Sequence, residues 1–82
     1  MPEKPTLESV SSVIEEVLCV DASKITVDSR LIEDLDANSL DVVELAMALE
    51  ERFELEIPDR DVDGLQTVGQ VVEYLQGRLA KV

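Results

Sequence analysis

The sequence predicts an all-α fold: a small bundle of three long helices plus one short helix, with a long loop between the first two helices. Three observations carry this. Apolar residues recur at helical spacing in three separate stretches. Residues suited to capping a helix stand just before those stretches. Pro58 and Gly64 bracket a short acidic stretch that fits one further helical turn.

In the first helix Leu7, Val10, Ile14, Val17 and Leu18 fall on one face, Thr6 is the cap and Pro5 precedes it. Residues 21–38 form the longest connection. Ile25, Val27, Leu31 and Leu35 are spaced along it as anchors to a core. A connection this long suggests a crossover between helices that are not simple hairpin neighbours. The second helix runs from about Ser39 to Phe53, with Asn38 or Ser39 as its cap and Asp41 in the first turn, where the helix dipole favours an anion. The short third helix spans Asp59 to Asp63 and stops at Gly64. Thr67 and Gln70 make a capping box for the last helix, whose apolar face is Val68, Val71, Val72, Leu75 and Leu79. Gly69 costs that helix about 1 kcal/mol relative to alanine. Residues 1–82 read as one domain, with residues 1–5 and 80–82 expected to fray.

Composition excludes several kinds of function. The 82 residues carry 19 Asp and Glu against 7 Lys and Arg, a formal charge of −12. Phosphate-rich partners are repelled, which argues against nucleic acid and anionic membrane, and basic surfaces are expected as partners. Self-repulsion favours a monomer. With no histidine and a single cysteine, the chain cannot build a serine or cysteine triad, a histidine zinc site or an internal disulfide. No catalytic residue and no metal ligand set is expected. The chain has no apolar run of the roughly 18 residues that membrane insertion needs and opens on no signal-peptide pattern, so a cytoplasmic or organelle-matrix protein is expected. At 45% hydrophobic residues it is too apolar for a disordered acidic tail. One Phe and one Tyr leave the core to Val, Leu and Ile.

The second helix carries two stripes. Val42, Leu45, Ala46, Leu49 and Phe53 form a wholly apolar row. Leu40, Val43, Glu44, Met47 and Glu51 form another, roughly 200° away around the axis. Both rows cannot face one core. The mixed row, flanked by Glu50, reads as a docking face: its acids steer a basic partner and its Leu and Met supply adaptable apolar contact. A helix buried nearly all round is the competing reading.

Residues 33–53 read Glu-Asp-Leu-Asp-Ala-Asn-Ser-Leu-Asp-Val-Val-Glu-Leu-Ala-Met-Ala-Leu-Glu-Glu-Arg-Phe. This segment resembles the acyl carrier proteins of fatty acid and polyketide synthesis, and the likeness extends through Glu56-Ile57-Pro58-Asp59 and over most of the chain. The resemblance implies that Ser39 bears 4′-phosphopantetheine, donated from coenzyme A by a phosphopantetheinyl transferase. The arm would present acyl thioesters to ketosynthases, acyltransferases and other basic-surfaced enzymes. It further implies recognition by partners through Asn38, Leu40, Asp41, Val43, Glu44, Met47, Glu50 and Glu51. Leu45, Ala46, Leu49, Ile57, Val62 and Leu65 are the expected acyl pocket. Two positions depart from the family pattern: Asn38 replaces the Asp before the serine, and Asp36 replaces a Gly.

Other readings compete. Asp59, Asp61, Asp63 and Gly64 imitate the start of a calcium loop, as do Asp34, Asp36 and Asn38. Gln70 and Leu45 stand where each loop needs its bidentate glutamate, which leaves weak divalent binding through relief of acid repulsion. A specialised polyketide or peptidyl carrier, or an acidic interaction module whose serine is never modified, are the remaining alternatives. Cys19 is expected to be a small buried hydrophobe and Tyr74 a boundary residue.

Overall fold

The computed structural model describes residues 4–80. Its elements are α1 (Leu7–Leu18), a 3-10 turn (Ala22–Lys24), α2 (Ser39–Phe53), α3 (Asp59–Val62) and α4 (Val68–Ala80). Three long helices and one short one are thus in place, with the long connection between α1 and α2.

Local chemistry sets the helix starts. The Ser9 amide donates to Thr6 Oγ1 at 3.1 Å, and the Thr6 amide donates to Ser9 Oγ at 2.9 Å. This reciprocal cap satisfies two amides that the helix itself cannot. At α4 the Gln70 amide donates to Thr67 Oγ1 (3.1 Å), while Gln70 Oε1 accepts from the amides of Gln66 and Thr67 (2.9 and 3.0 Å). Where fraying was expected at residues 4 and 5, the chain is tied down: Pro5 is buried and its carbonyl accepts from Gln76 Nε2 at 3.0 Å. Ala80 closes α4, and residues 1–3, 81 and 82 lie outside the described residues.

α1 packs against both α2 and α4, and α3 approaches α2. Val10, Val13 and Ile14 of α1 meet Leu45, Leu49 and Phe53 of α2 and Val68, Val71 and Leu75 of α4 in one aliphatic core around a single aromatic ring. Val13 belongs to that core although the expected stripe omitted it. Leu7 is exposed, because the buried arc of α1 centres on Val10 and Val13 and the first turn lies at its margin. Among the described residues the Cα atoms of α2 and α4 nowhere come within 8 Å of each other, so side chains alone fill the space between them.

The connection behaves differently from a crossover. α1 and α2 are direct neighbours, and the loop detours to the start of α4 before returning. There the Leu31 amide donates to the Gln66 carbonyl (2.9 Å) and the Val68 amide donates to the Ser29 carbonyl (3.0 Å), making an isolated antiparallel bridge between Arg30 and Thr67. Ile25, Leu31 and Leu35 are buried as anchors, joined by Ala37. Val27 is exposed instead, because its backbone makes the contact: its carbonyl accepts from the Gly69 amide at 2.9 Å. A Cβ on residue 69 would lie 2.9 Å from that same oxygen. The glycine in α4 is therefore required by close approach of the loop. Ser29, the one polar residue buried in the loop, accepts from the Thr26 amide (2.9 Å) and donates to the Lys24 carbonyl (3.1 Å).

Cys19 departs from expectation. It caps α1 in the left-handed conformation (φ 55°), its amide donating to the Glu15 carbonyl, and its side chain is exposed because that conformation ends the helical stripe.

Candidate functional site

The start of α2 is built by three residues with different tasks, Asp36, Asn38 and Ser39. Asp36 adopts a left-handed conformation (φ 58°), turning the loop so that the Ala37 amide donates to the Leu31 carbonyl at 2.9 Å. Asn38 then caps α2. Its Oδ1 accepts from the Asp41 amide at 2.9 Å, and Asp41 Oδ2 accepts from the Asn38 amide at 3.2 Å. Because Asn38 takes this task, Ser39 sits at the first helical position, and its exposed hydroxyl makes no hydrogen bond among the described residues. The first bond of the helix runs from the Val42 amide to the Asn38 carbonyl. The amides of Ser39 and Leu40 therefore have no partner within the helix and give this end its partial positive charge.

Below Ser39 the two stripes of α2 separate as the spacing requires. Leu45, Ala46, Leu49 and Phe53 are buried and Val42 is half-buried. Leu40, Val43 and Met47 are exposed to 65%, 45% and 60%, with Glu44 and Glu51 exposed beside them. Single exposed aliphatic residues are ordinary on a protein surface, but three in a row along one helix are not. Two of the acids expected on this face are used internally. The carboxylate of half-buried Glu50 accepts from the Ile57 amide at 2.9 Å, fastening the segment between α2 and α3, and Asp41 belongs to the cap.

Ser39 lines a cavity of about 430 Å³ with three walls. α2 contributes Ser39, Val42 and Val43. The end of α3 and the following turn contribute Val62, Asp63 and Leu65. The loop and its bridge partner contribute Arg30, Ile32, Glu33, Gln66 and Thr67. Of the expected acyl-pocket residues, Val62 and Leu65 line this space. Leu45, Ala46, Leu49 and Ile57 do not: they are enclosed in the core beside it. Arg30 and Ile32 escaped the sequence reading. Ile32 had a signal, since it is an apolar residue directly after the anchor Leu31 and so points away from the core that Leu31 enters.

The loop wall is held by one ionic turn. Asp34 Oδ2 accepts from the Arg30 amide (2.8 Å) and from Arg30 Nε (3.2 Å), and Glu33 pairs with the same guanidinium. Hydrogen bonding to the Arg30 side chain, then to its amide, holds the Asp34 carboxyl below its usual range, and the same pair raises Arg30. The acidic run of α3 is also engaged elsewhere: Asp61 accepts from the Tyr74 hydroxyl at 2.6 Å. Among the described residues no group of three or more His, Cys, Asp or Glu is placed to hold a metal ion.

The sequence has known relatives. The family described as a phosphopantetheine attachment site matches residues 8–75. The chain is 55% identical over 71 residues to an acyl carrier protein of Helicobacter hepaticus, covering 87% of this chain and 93% of that one. It is 52% identical over 68 residues to an acyl carrier protein of Clostridium perfringens strain 13, covering 83% and 90%. An unbonded serine at the head of an acid-flanked helix, in a chain that matches these proteins over nearly its whole length, places this chain in the acyl carrier protein family with a phosphopantetheine attachment site.

Proposed function

We propose that Ser39 is the attachment point of the 4′-phosphopantetheine that this family bears, and that the chain carries acyl groups for fatty acid biosynthesis. One observation carries the assignment. The Ser39 hydroxyl is exposed and unbonded because Asn38 caps the helix in its place. The residues present suit the group. The free amides of Ser39 and Leu40 and the positive end of α2 favour a phosphodiester there, and the adjoining cavity has both apolar and polar walls. When attached, the arm supplies a terminal thiol that holds an acyl group as a thioester. The chain's own contribution is to offer the serine oxygen, orient it by the rigid cap, and shelter part of the cargo; catalysis belongs to partner enzymes.

A transferase and the acyl-handling enzymes are read as docking on the exposed row of Leu40, Val43, Glu44, Met47 and Glu51, with Asn38 at its head. The charge of −12 supports basic partner surfaces. The acyl chain is read as passing Val62 and Leu65 toward Leu45, Ala46, Leu49 and Ile57. The absence of close backbone contact between α2 and α4 supports a core that opens there. No helix among the described residues is long and apolar enough to cross a membrane. The cytoplasm is the compartment that fits this reading.

Intact mass of the protein after treatment with coenzyme A and a phosphopantetheinyl transferase tests the assignment. One added phosphopantetheine, absent in Ser39→Ala, is expected. Addition that persists in Ser39→Ala refutes Ser39, and no addition with several transferases favours an unmodified interaction module.

A further inference from the structure

We propose that Tyr74 of α4 positions one wall of the cavity beside Ser39, acting through Asp61 of α3. The inference rests on the reading that Ser39 bears the arm. α3 is a single turn of four residues, far below the length at which a helix sustains itself in water. Neighbouring side chains must hold it. Among the helices its backbone comes close only to α2, so its tie to α4 is made by side chains. The Tyr74 hydroxyl donates to Asp61 Oδ2 at 2.6 Å, and Arg78 Nη1 donates to the Tyr74 oxygen at 3.2 Å. The Arg78 guanidinium lies 5.9 Å from the ring centre and 3.9 Å from Asp61 Oδ2.

This latch sits directly behind the cavity wall. Val62, Asp63 and Leu65, the residues that follow Asp61, face Ser39, Val42 and Val43 across the cavity. The latch therefore governs how far α3 swings from α2, and with it how well a short acyl thioester on the arm is shielded. A short hydrogen bond to a carboxylate, half withdrawn from solvent, is stronger than the exposed ion pairs of this surface. Burial, followed by the bond to Asp61, raises the pKa of the Tyr74 hydroxyl, which keeps it a donor throughout the neutral range.

Tyr74→Phe removes the hydroxyl and keeps the ring; Asp61→Asn keeps an acceptor without the charge. Hydrogen exchange at the amides of Val62 and Leu65, which are bonded to Pro58 and Val62 carbonyls, reads the wall. The amides of Val71 and Leu75 read the rest of the bundle. In unloaded Tyr74→Phe the wall amides are expected to exchange about tenfold faster, with the α4 amides within about twofold of the parent. Asp61→Asn shows a smaller change of the same pattern. On the loaded protein, an octanoyl thioester is expected to be cleaved by hydroxylamine at least about threefold faster in Tyr74→Phe. Equal acceleration at all four amides, or none, overturns the latch. Local acceleration with unchanged thioester cleavage overturns its link to the cavity. A protein that takes no arm counts against Ser39, while exchange in the unloaded protein still decides the latch.

Discussion

Replacing Gly69 by alanine sets helix propensity against tertiary packing, and the two disagree in sign. Propensity alone favours alanine by about 1 kcal/mol in a helix interior, and by less in a first turn. The structure opposes it. The new Cβ would lie 2.9 Å from the Val27 carbonyl oxygen, closer than real Cβ atoms approach anything. That oxygen is backbone, so no rotamer change removes it, and it accepts the Gly69 amide at 2.9 Å. Moving it away weakens a hydrogen bond worth about 0.5–1.5 kcal/mol. Forcing an atom into a filled contact adds about 1–3 kcal/mol. Set against the propensity gain, these give a net loss for Gly69→Ala of roughly 0.5–4 kcal/mol. The lower part of that range, about 0.5–2 kcal/mol, already lowers Tm by roughly 2–16 °C in a domain of this size. Urea unfolding followed by circular dichroism, with an unchanged m value, measures it. Faster hydrogen exchange at the Ser29-bonded Val68 amide would place the damage at the loop contact. A variant more stable than the parent would refute the view that this contact, and not the helix, dictates the glycine.

Asp36→Gly is expected to stabilise the protein by about 1 kcal/mol in the same assay, because it relieves a side chain held at φ 58°. Asn38→Ala removes the cap of α2 and should cost about 1 kcal/mol, whereas Asn38→Asp keeps the acceptor and should unfold with the parent. With a fatty-acid-type transferase, Asn38→Asp is expected to load faster than the parent, since it restores the carboxylate of the family pattern; equal rates would dismiss a role for that charge. Asp34 has a lowered carboxyl pKa, so its stabilising contribution is full above the unfolded value of about 4 and is lost as pH falls through the lower folded value. The stability gap between parent and Arg30→Gln should therefore be small but present at pH 6 and narrow progressively as pH falls below about 4 in parallel urea titrations. A gap that widens on acidification contradicts the pairing.

Much of this molecule is local and was therefore legible in the chain. The boundaries of α1 and α2 follow from caps and periodicity: Thr6, Asn38, and the apolar rows that begin within a turn of them. The division of α2 into a buried and an exposed row follows from helical geometry alone, since residues two apart point to opposite sides. The serine at the head of that helix stands in a stretch of residues long enough to identify a family without coordinates. Other features arise between segments far apart in sequence. Nothing in residues 21–38 announces that Val27 contributes its carbonyl and not its side chain, or that Gly69 exists to admit it. Glu50 has the spacing of a docking acid, yet the amide of Ile57 claims it. Tyr74 and Asp61 lie thirteen residues apart on different helices and meet only because the packed chain brings their side chains within reach. Periodicity reports which side of an element faces the core. Which groups meet there, and which cavity opens between them, depends on how whole elements stack, and only the packed chain fixes that.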